Sequence, residues 1–173
     1  MATSVLYAKF SGFAYELPAL ASDVDSYRSI YEEHQSRIYN LAFYLTDNEL
    51  TAEDVTARVF AKTFAVNSTP SAEVLDRALV SELRETMPIG DLTLNVPVST
   101  ETANARRNVK RAMLERAVIS VPPTERMIFL MHDVEGYDVS RIARTLYIST
   151  DEVRTGLHQA RLAVRRAVAS NKL

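Results

Sequence analysis

From Val153 to Ala167 the apolar residues return at helical spacing, with Val153, Leu157, Ala160, Val164 and Ala167 on one stripe. An α-helix with one buried face satisfies that period. The other side is polar: Asp151, Glu152, Thr155, His158 and Gln159, flanked by Arg154, Arg161 and Arg165. Upstream, Asp138 is placed to cap a short helix with Val139, Ile142, Ala143 and Leu146 inward. Tyr147-Ile148-Ser149 makes a tight connection, after which Ser149 or Thr150 caps the long helix. A short capped helix, a tight turn and a second helix with a polar start form the helix-turn-helix pattern. The second helix of such a pair enters the major groove with its N-terminal residues against base edges. Thr150, Arg154, Thr155, His158, Gln159, Arg161 and Arg165 are therefore the expected DNA-contacting residues. A solvated helix in a bundle would show the same stripe.

The rest of the chain also reads as helix, since 4 glycines and 6 prolines interrupt 173 residues of which 47% are apolar. Asp23 is placed to cap a helix with Tyr27, Ile30, Tyr31, Ile38, Leu41, Ala42 and Leu45 inward, broken at Thr46-Asp47-Asn48. Thr51, with Asp54 in a capping-box-like position, starts a second helix carrying Val55, Val59, Phe60 and Phe64. Ser71 starts a third, with Val74, Leu75, Ala78, Leu79 and Leu83, stopped by Pro88 and Gly90. Residues 88–104 contain prolines, acids and no basic residue, and read as a flexible acidic linker. A helix over about Glu101 to Ser120 follows, Pro122-Pro123-Thr124 restarts the chain, and Glu135-Gly136-Tyr137 turns it. The expected fold is all-α: an N-terminal extension over 1–22, a helical domain over 23–87, the linker over 88–104, and a helix-turn-helix domain over 105–173.

Charge follows the same division. Residues 1–104 hold 7 Lys+Arg against 15 Asp+Glu, a balance of −8, while residues 105–173 hold 13 against 7, a balance of +6. The basic half suits a polyanion, because cations displace the counterions condensed on phosphates. Cysteine is absent, so no disulfide framework or thiolate metal site is expected. His34, His132 and His158 lack metal-ligand spacing, and neither a G-x-S-x-G elbow nor a phosphate-cradling glycine loop occurs. No catalytic residue, metal or cofactor is expected. The N-terminus lacks a basic region followed by an apolar run, and no apolar stretch approaches the roughly 18 residues of a membrane span. A cytoplasmic, non-enzymatic protein without membrane partners is expected.

Several spaced motifs then occur in one order. They are Val121-Pro122-Pro123-Thr124-Glu125-Arg126, Glu135-Gly136-Tyr137-Asp138-Val139-Ser140-Arg141-Ile142-Ala143, Ile148-Ser149-Thr150-Asp151-Glu152-Val153-Arg154 and Gln159-Ala160-Arg161. On these, residues 113–168 resemble region 4 of the extracytoplasmic-function sigma factors, the smallest branch of the sigma-70 family. Tyr147 stands where the family usually has the turn glycine, and Arg141 replaces a usual Glu. Positive φ is costly for a non-glycine residue, so a reshaped turn is expected. Tyr31 to Phe64 is similar to region 2, through Ile38-Tyr39-Asn40-Leu41-Ala42 and Thr51-Ala52-Glu53-Asp54-Val55-Thr56-Ala57-Arg58-Val59-Phe60. The resemblance implies that this helix docks on the β′ clamp helices of core RNA polymerase through Glu53, Asp54 and Arg58. Ala57 and Arg58 depart from the usual Gln and Glu, and Glu53-Asp54 also reads as ordinary first-turn acids favoured by the helix dipole.

The resemblance implies a bacterial, sigma-like transcription initiation factor that bridges core RNA polymerase and promoter duplex DNA. It also admits an anti-sigma factor as a partner. The alternatives are a degenerate DNA-binding regulator that does not melt promoters, and a helical interaction protein. Strand opening needs stacking rings and cations. Residues 71–87 hold no aromatic and set Arg77 and Arg84 against Glu73, Asp76, Glu82 and Glu85. Weak promoter opening is therefore expected, unless Tyr7, Phe10, Phe13 or Tyr15 supply the rings.

Overall fold

A computed structural model describes residues 17–97 and 111–170, and among them every regular element is helical. The N-terminal half contains α1 (Leu17–Thr46), α2 (Glu49–Phe64) and α3 (Ala72–Arg84). The C-terminal half contains α4 (Arg111–Ile119), α5 (Pro123–Phe129), α6 (Val139–Leu146) and α7 (Thr150–Ser170), with α5 running on into a π-helical stretch, Leu130–Val134. The aromatics named within residues 1–16 and the first turns of the helix expected from Glu101 lie outside the described residues.

Several helix starts differ from the expectation, each for a local reason. Helix α1 begins at Leu17, so Asp23 lies inside it rather than capping it. Pro18 does not prevent this, because a first helical turn needs no N–H there. Asn48 caps α2, its Oδ1 accepting from the Thr51 backbone N–H at 2.9 Å, so the helix starts at Glu49 instead of Thr51. Asp47, at φ 52, turns α1 into α2. Ser71 occupies the N-cap position of α3 without making a side-chain cap, and α3 ends at Arg84. Pro123 takes the first position of α5, as expected of a residue lacking N–H.

Ile38, Leu41, Val55, Val59, Leu75, Leu79 and Leu83 are fully or almost fully buried between α1, α2 and α3. Met127, Ile128, Met131, Ile142, Leu146, Val153 and Ala160 fill the C-terminal half. Each such valine, leucine, isoleucine or methionine side chain contributes roughly 1.5–3 kcal/mol. These buried residues form one continuous cluster across both halves. Helix α3 packs on α6, and α1 on α4 and α5. Arg126 of α5 closes the end of α1, its Nη1 donating to the carbonyls of Tyr44 at 2.9 Å and Leu45 at 3.1 Å.

Residues 88–97, expected to be a flexible linker, form a strap on the C-terminal half. Gly90 N donates to Thr124 Oγ1 at 2.9 Å, Leu94 N to Glu125 Oε1 at 2.6 Å, and Val96 N to Gln159 Oε1 at 2.5 Å. Gly156 of α7 makes room for the strap: a Cβ there would meet Ile128 Cδ1 at 2.6 Å and Leu92 Cδ2 at 2.8 Å. The acceptors lie 31 to 63 positions away along the chain, which is why composition alone suggests a free segment.

Candidate nucleic-acid interface

Asp138 Oδ1 accepts from the Arg141 backbone N–H at 2.8 Å and fixes the start of α6. Helix α6 ends in a left-handed residue, Tyr147, at φ 55 and ψ 42. The turn therefore keeps the shape that glycine favours, and the reshaping expected from Tyr147 does not occur. Ile148 N donates to Ala143 O at 3.1 Å across this turn. Ser149 and Glu152 then form a reciprocal capping box: Ser149 Oγ accepts from Glu152 N at 3.1 Å, and Glu152 Oε2 from Ser149 N at 2.7 Å. The Ser149 hydroxyl and backbone hold the Glu152 carboxyl below the usual carboxylate range.

With both ends fixed, the start of α7 presents Arg154, Thr155 and His158 to solvent, with Thr150 half-buried and Arg165 exposed two turns on. Arg154 Nη1 donates to Asp151 Oδ1 at 2.7 Å. An exposed pair of this kind contributes under about 1 kcal/mol, so a phosphate can replace it. Two predicted contact residues are otherwise engaged. Gln159 gives its amide oxygen to the strap. Arg161 grips Asp133, Nε to Oδ2 at 2.9 Å and Nη2 to Oδ1 at 2.5 Å, and this grip depresses the Asp133 pKa. His132 Nδ1 lies 2.8 Å from Asp133 Oδ1.

The face of α6 turned toward α3 is also basic. Arg141 Nη2 donates to Asp76 Oδ2 at 2.6 Å, and Arg144 Nη2 to Glu73 Oε1 at 2.8 Å. Asp76 is 0% exposed and also receives Arg37 Nη1, with the Tyr137 hydroxyl at 3.3 Å. Burial, then the nearby Asp76 charge, push the Tyr137 hydroxyl up to about 12, so it stays a donor. The Arg144 hydrogen bond holds the Glu73 carboxyl down. Arg144 carries no sequence signal except its place three positions after Arg141 on the first helix of the motif.

The residues expected to meet polymerase lie on α2. Glu53 is exposed and borders a groove of about 520 Å³ between α1 and α2, lined also by Tyr31, Gln35, Tyr39 and Thr56. Asp54 is exposed and pairs with Arg58 one turn on. Arg58 faces inward too, its Nε donating to Glu82 Oε2 at 2.9 Å, while Lys62 binds the other oxygen of Glu82. Burial of Glu82 opposes its charge, but the Lys62 and Arg58 hydrogen bonds prevail and lower its pKa.

Residues 111–164 match the family described as sigma-70, region 4. Over 161 residues the chain is 26% identical to the ECF RNA polymerase sigma factor SigE of Mycolicibacterium smegmatis (strain ATCC 700084 / mc(2)155), a match covering 84% of this chain. The chain spans 63% of the length of that curated relative. A solved sigma factor, RpoE from the co-crystal structure with the anti-sigma factor NepR from Bartonella quintana, shares the fold at a TM-score of 0.59 and 10% identity. That superposition covers 84% of this chain and 98% of the other. The helix-turn-helix half thus matches sigma-70 region 4, most of the chain is similar to an extracytoplasmic-function sigma factor, and its all-helical fold is shared with a solved sigma factor.

Proposed function

We propose that the chain is a sigma-type initiation factor whose α2 docks on the clamp helices of core RNA polymerase and whose α6–α7 pair binds promoter duplex DNA. The observation that carries this reading is the start of α7. A reciprocal capping box fixes it, and Arg154, Thr155 and His158 stand exposed where such a helix meets base edges. Thr150, Gln159, Arg161 and Arg165 complete the contact set, with Gln159 and Arg161 joining after they leave Val96 and Asp133. Glu53, Asp54 and Arg58 supply the polymerase contact. The protein acts in the cytoplasm without a catalytic residue or cofactor, and an anti-sigma factor is its regulatory partner class, as the solved relative binds one. Co-purification with core polymerase followed by run-off transcription tests the reading, and loss of either result refutes the initiation role.

A second reading is favoured by one observation. Helix α3, Ala72–Arg84, offers no aromatic ring on which a flipped base could stack. On that reading the chain binds duplex DNA and regulates without melting it. Permanganate footprinting of unpaired thymines in a polymerase–promoter complex separates the two, since only an opening factor yields reactive thymines.

A further inference from the structure

In a helix-turn-helix the first helix crosses the DNA backbone while the second enters the groove. Arginines on the first helix are therefore natural phosphate ligands, and a carboxylate is the protein group that best imitates a phosphate toward a guanidinium. Helix α6 carries two such arginines, and both already hold carboxylates from the same element: Arg141 holds Asp76 at 2.6 Å, and Arg144 holds Glu73 at 2.8 Å. Helix α3 makes a third contact at the turn, where Arg84 Nη2 donates to Leu146 O at 2.6 Å and its guanidinium lies 5.7 Å from the Tyr147 ring centre. Contacts from α3 thus run along α6 from Arg141 to Tyr147. Arg154, Thr155 and His158 on α7 stay exposed.

We infer that α3 is an internal DNA mimic, whose Glu73 and Asp76 occupy the arginines that α6 offers to the phosphate backbone. The inference rests on the DNA-binding reading above. It also gives the acids of α3 a use, in a segment that has no aromatic ring and more acids than arginines. In the closed form the chain can touch duplex DNA through α7 alone. Full engagement requires α3 to leave α6, so DNA and the N-terminal half compete for Arg141 and Arg144. The outer pair is built for exchange, with Arg144 largely open to water and Glu73 partly so. The inner pair anchors the closed form, because Asp76 is enclosed and bound also by Arg37.

The test uses the full chain and a random-sequence duplex, since phosphate contacts are independent of sequence. Fluorescence anisotropy across a salt series gives affinity and salt slope. Glu73→Gln is expected to bind about threefold tighter at low salt, with the slope of log K against log salt steeper by about 0.9 for the freed arginine. The second variant does not depend on destabilising anything. The chain has no cysteine, so Glu73→Cys with Arg144→Cys, joined by a short bismaleimide, fixes α3 on α6. The linked protein is expected to bind about threefold more weakly than the same variant left unlinked, with a salt slope shallower by about 0.9, the loss of the one phosphate contact Arg141 still offers. Equal binding by linked and unlinked protein, or a wild-type slope in Glu73→Gln, overturns the inference while leaving the DNA-binding reading intact. Failure of wild type and every variant to bind duplex at low salt overturns that reading, and the inference with it.

Discussion

Arg84 holds the turn of the helix-turn-helix from outside: its Nη2 meets the Leu146 carbonyl at 2.6 Å and its guanidinium lies 5.7 Å from the centre of the Tyr147 ring. Tyr147 is 71% exposed and left-handed, so its side chain gains little by burial while its backbone carries strain. Asparagine tolerates this conformation and a β-branched residue does not. Tyr147→Asn is expected to leave the urea midpoint close to wild type, and Tyr147→Val to lower stability by about 1–2 kcal/mol. Equal midpoints would mean that the turn is not left-handed.

If α7 binds DNA as proposed, Asp133 competes with the duplex for Arg161. Asp133→Asn removes the charge that grips the guanidinium, and should tighten duplex binding and steepen its salt dependence by up to one phosphate contact. Arg161→Ala and Arg154→Ala should weaken binding, whereas Thr155→Ala and His158→Ala should shift sequence preference more than affinity. Selection from a randomised duplex pool, paired with titrations in salt, reads both quantities. Wild-type behaviour in all of these variants would show that α7 does not face DNA.

Glu82 is a buried acid serving two cations, Arg58 and Lys62. Its lowered pKa fixes the sign of a pH effect: the contribution is present above the unfolded carboxyl value, and is lost as pH falls through the depressed folded value. Glu82→Gln is expected to reduce stability at neutral pH by about 1–2 kcal/mol and to flatten the acid limb of the stability curve. Chemical denaturation between neutral and acid pH checks both, and an unchanged acid limb would remove Glu82 from the account.

Glu53 borders the α1–α2 groove and is exposed, so Glu53→Lys reverses a charge at the proposed polymerase contact without breaking the Asp54–Arg58 pair. Retention on immobilised core polymerase should fall severalfold, because like-charge juxtaposition costs several kcal/mol at a close contact. Undiminished retention would relocate the contact.

The strap depends on Glu125, whose Oε1 takes the N–H groups of both Thr93 and Leu94. Glu125→Gln keeps an oxygen in place and should preserve the strap. Glu125→Ala leaves two donors without their acceptor, and should lower stability by about 1–3 kcal/mol. Hydrogen exchange at the Thr93 and Leu94 amides is the direct readout, with protection lost in Glu125→Ala. Protection that survives would show that Leu92 against Gly156 holds the segment unaided.

What was legible in the sequence was local. The Asp138 cap, Ser149 as one of the two caps offered for the last helix, and the Pro123 start each need only three or four neighbouring residues, and the stripe from Val153 to Val164 needs one helix. The helix ends misplaced at Asp23 and Thr51 involve rival capping residues and a tolerated proline, where local signals compete. The engagement of Gln159 and Arg161 was not legible, because Val96 and Asp133 lie 63 and 28 positions away and no local period records them. The basic face of α6 was hidden likewise, since an arginine's partner follows from packing and not from its neighbours in the chain.

The bond from Arg126 to the end of α1 spans 82 positions, and that from Arg141 to Asp76 spans 65. Loops this long close later than the short connections between α1, α2 and α3. Chains also leave the ribosome N-terminus first. The first three helices therefore assemble while the residues that will cover them are still being made. During that interval Asp76 has Arg37 as its only arginine partner, and the last carbonyls of α1 turn to water. An acid that ends fully enclosed starts its life at the edge of an unfinished surface, waiting for the other half of its own chain.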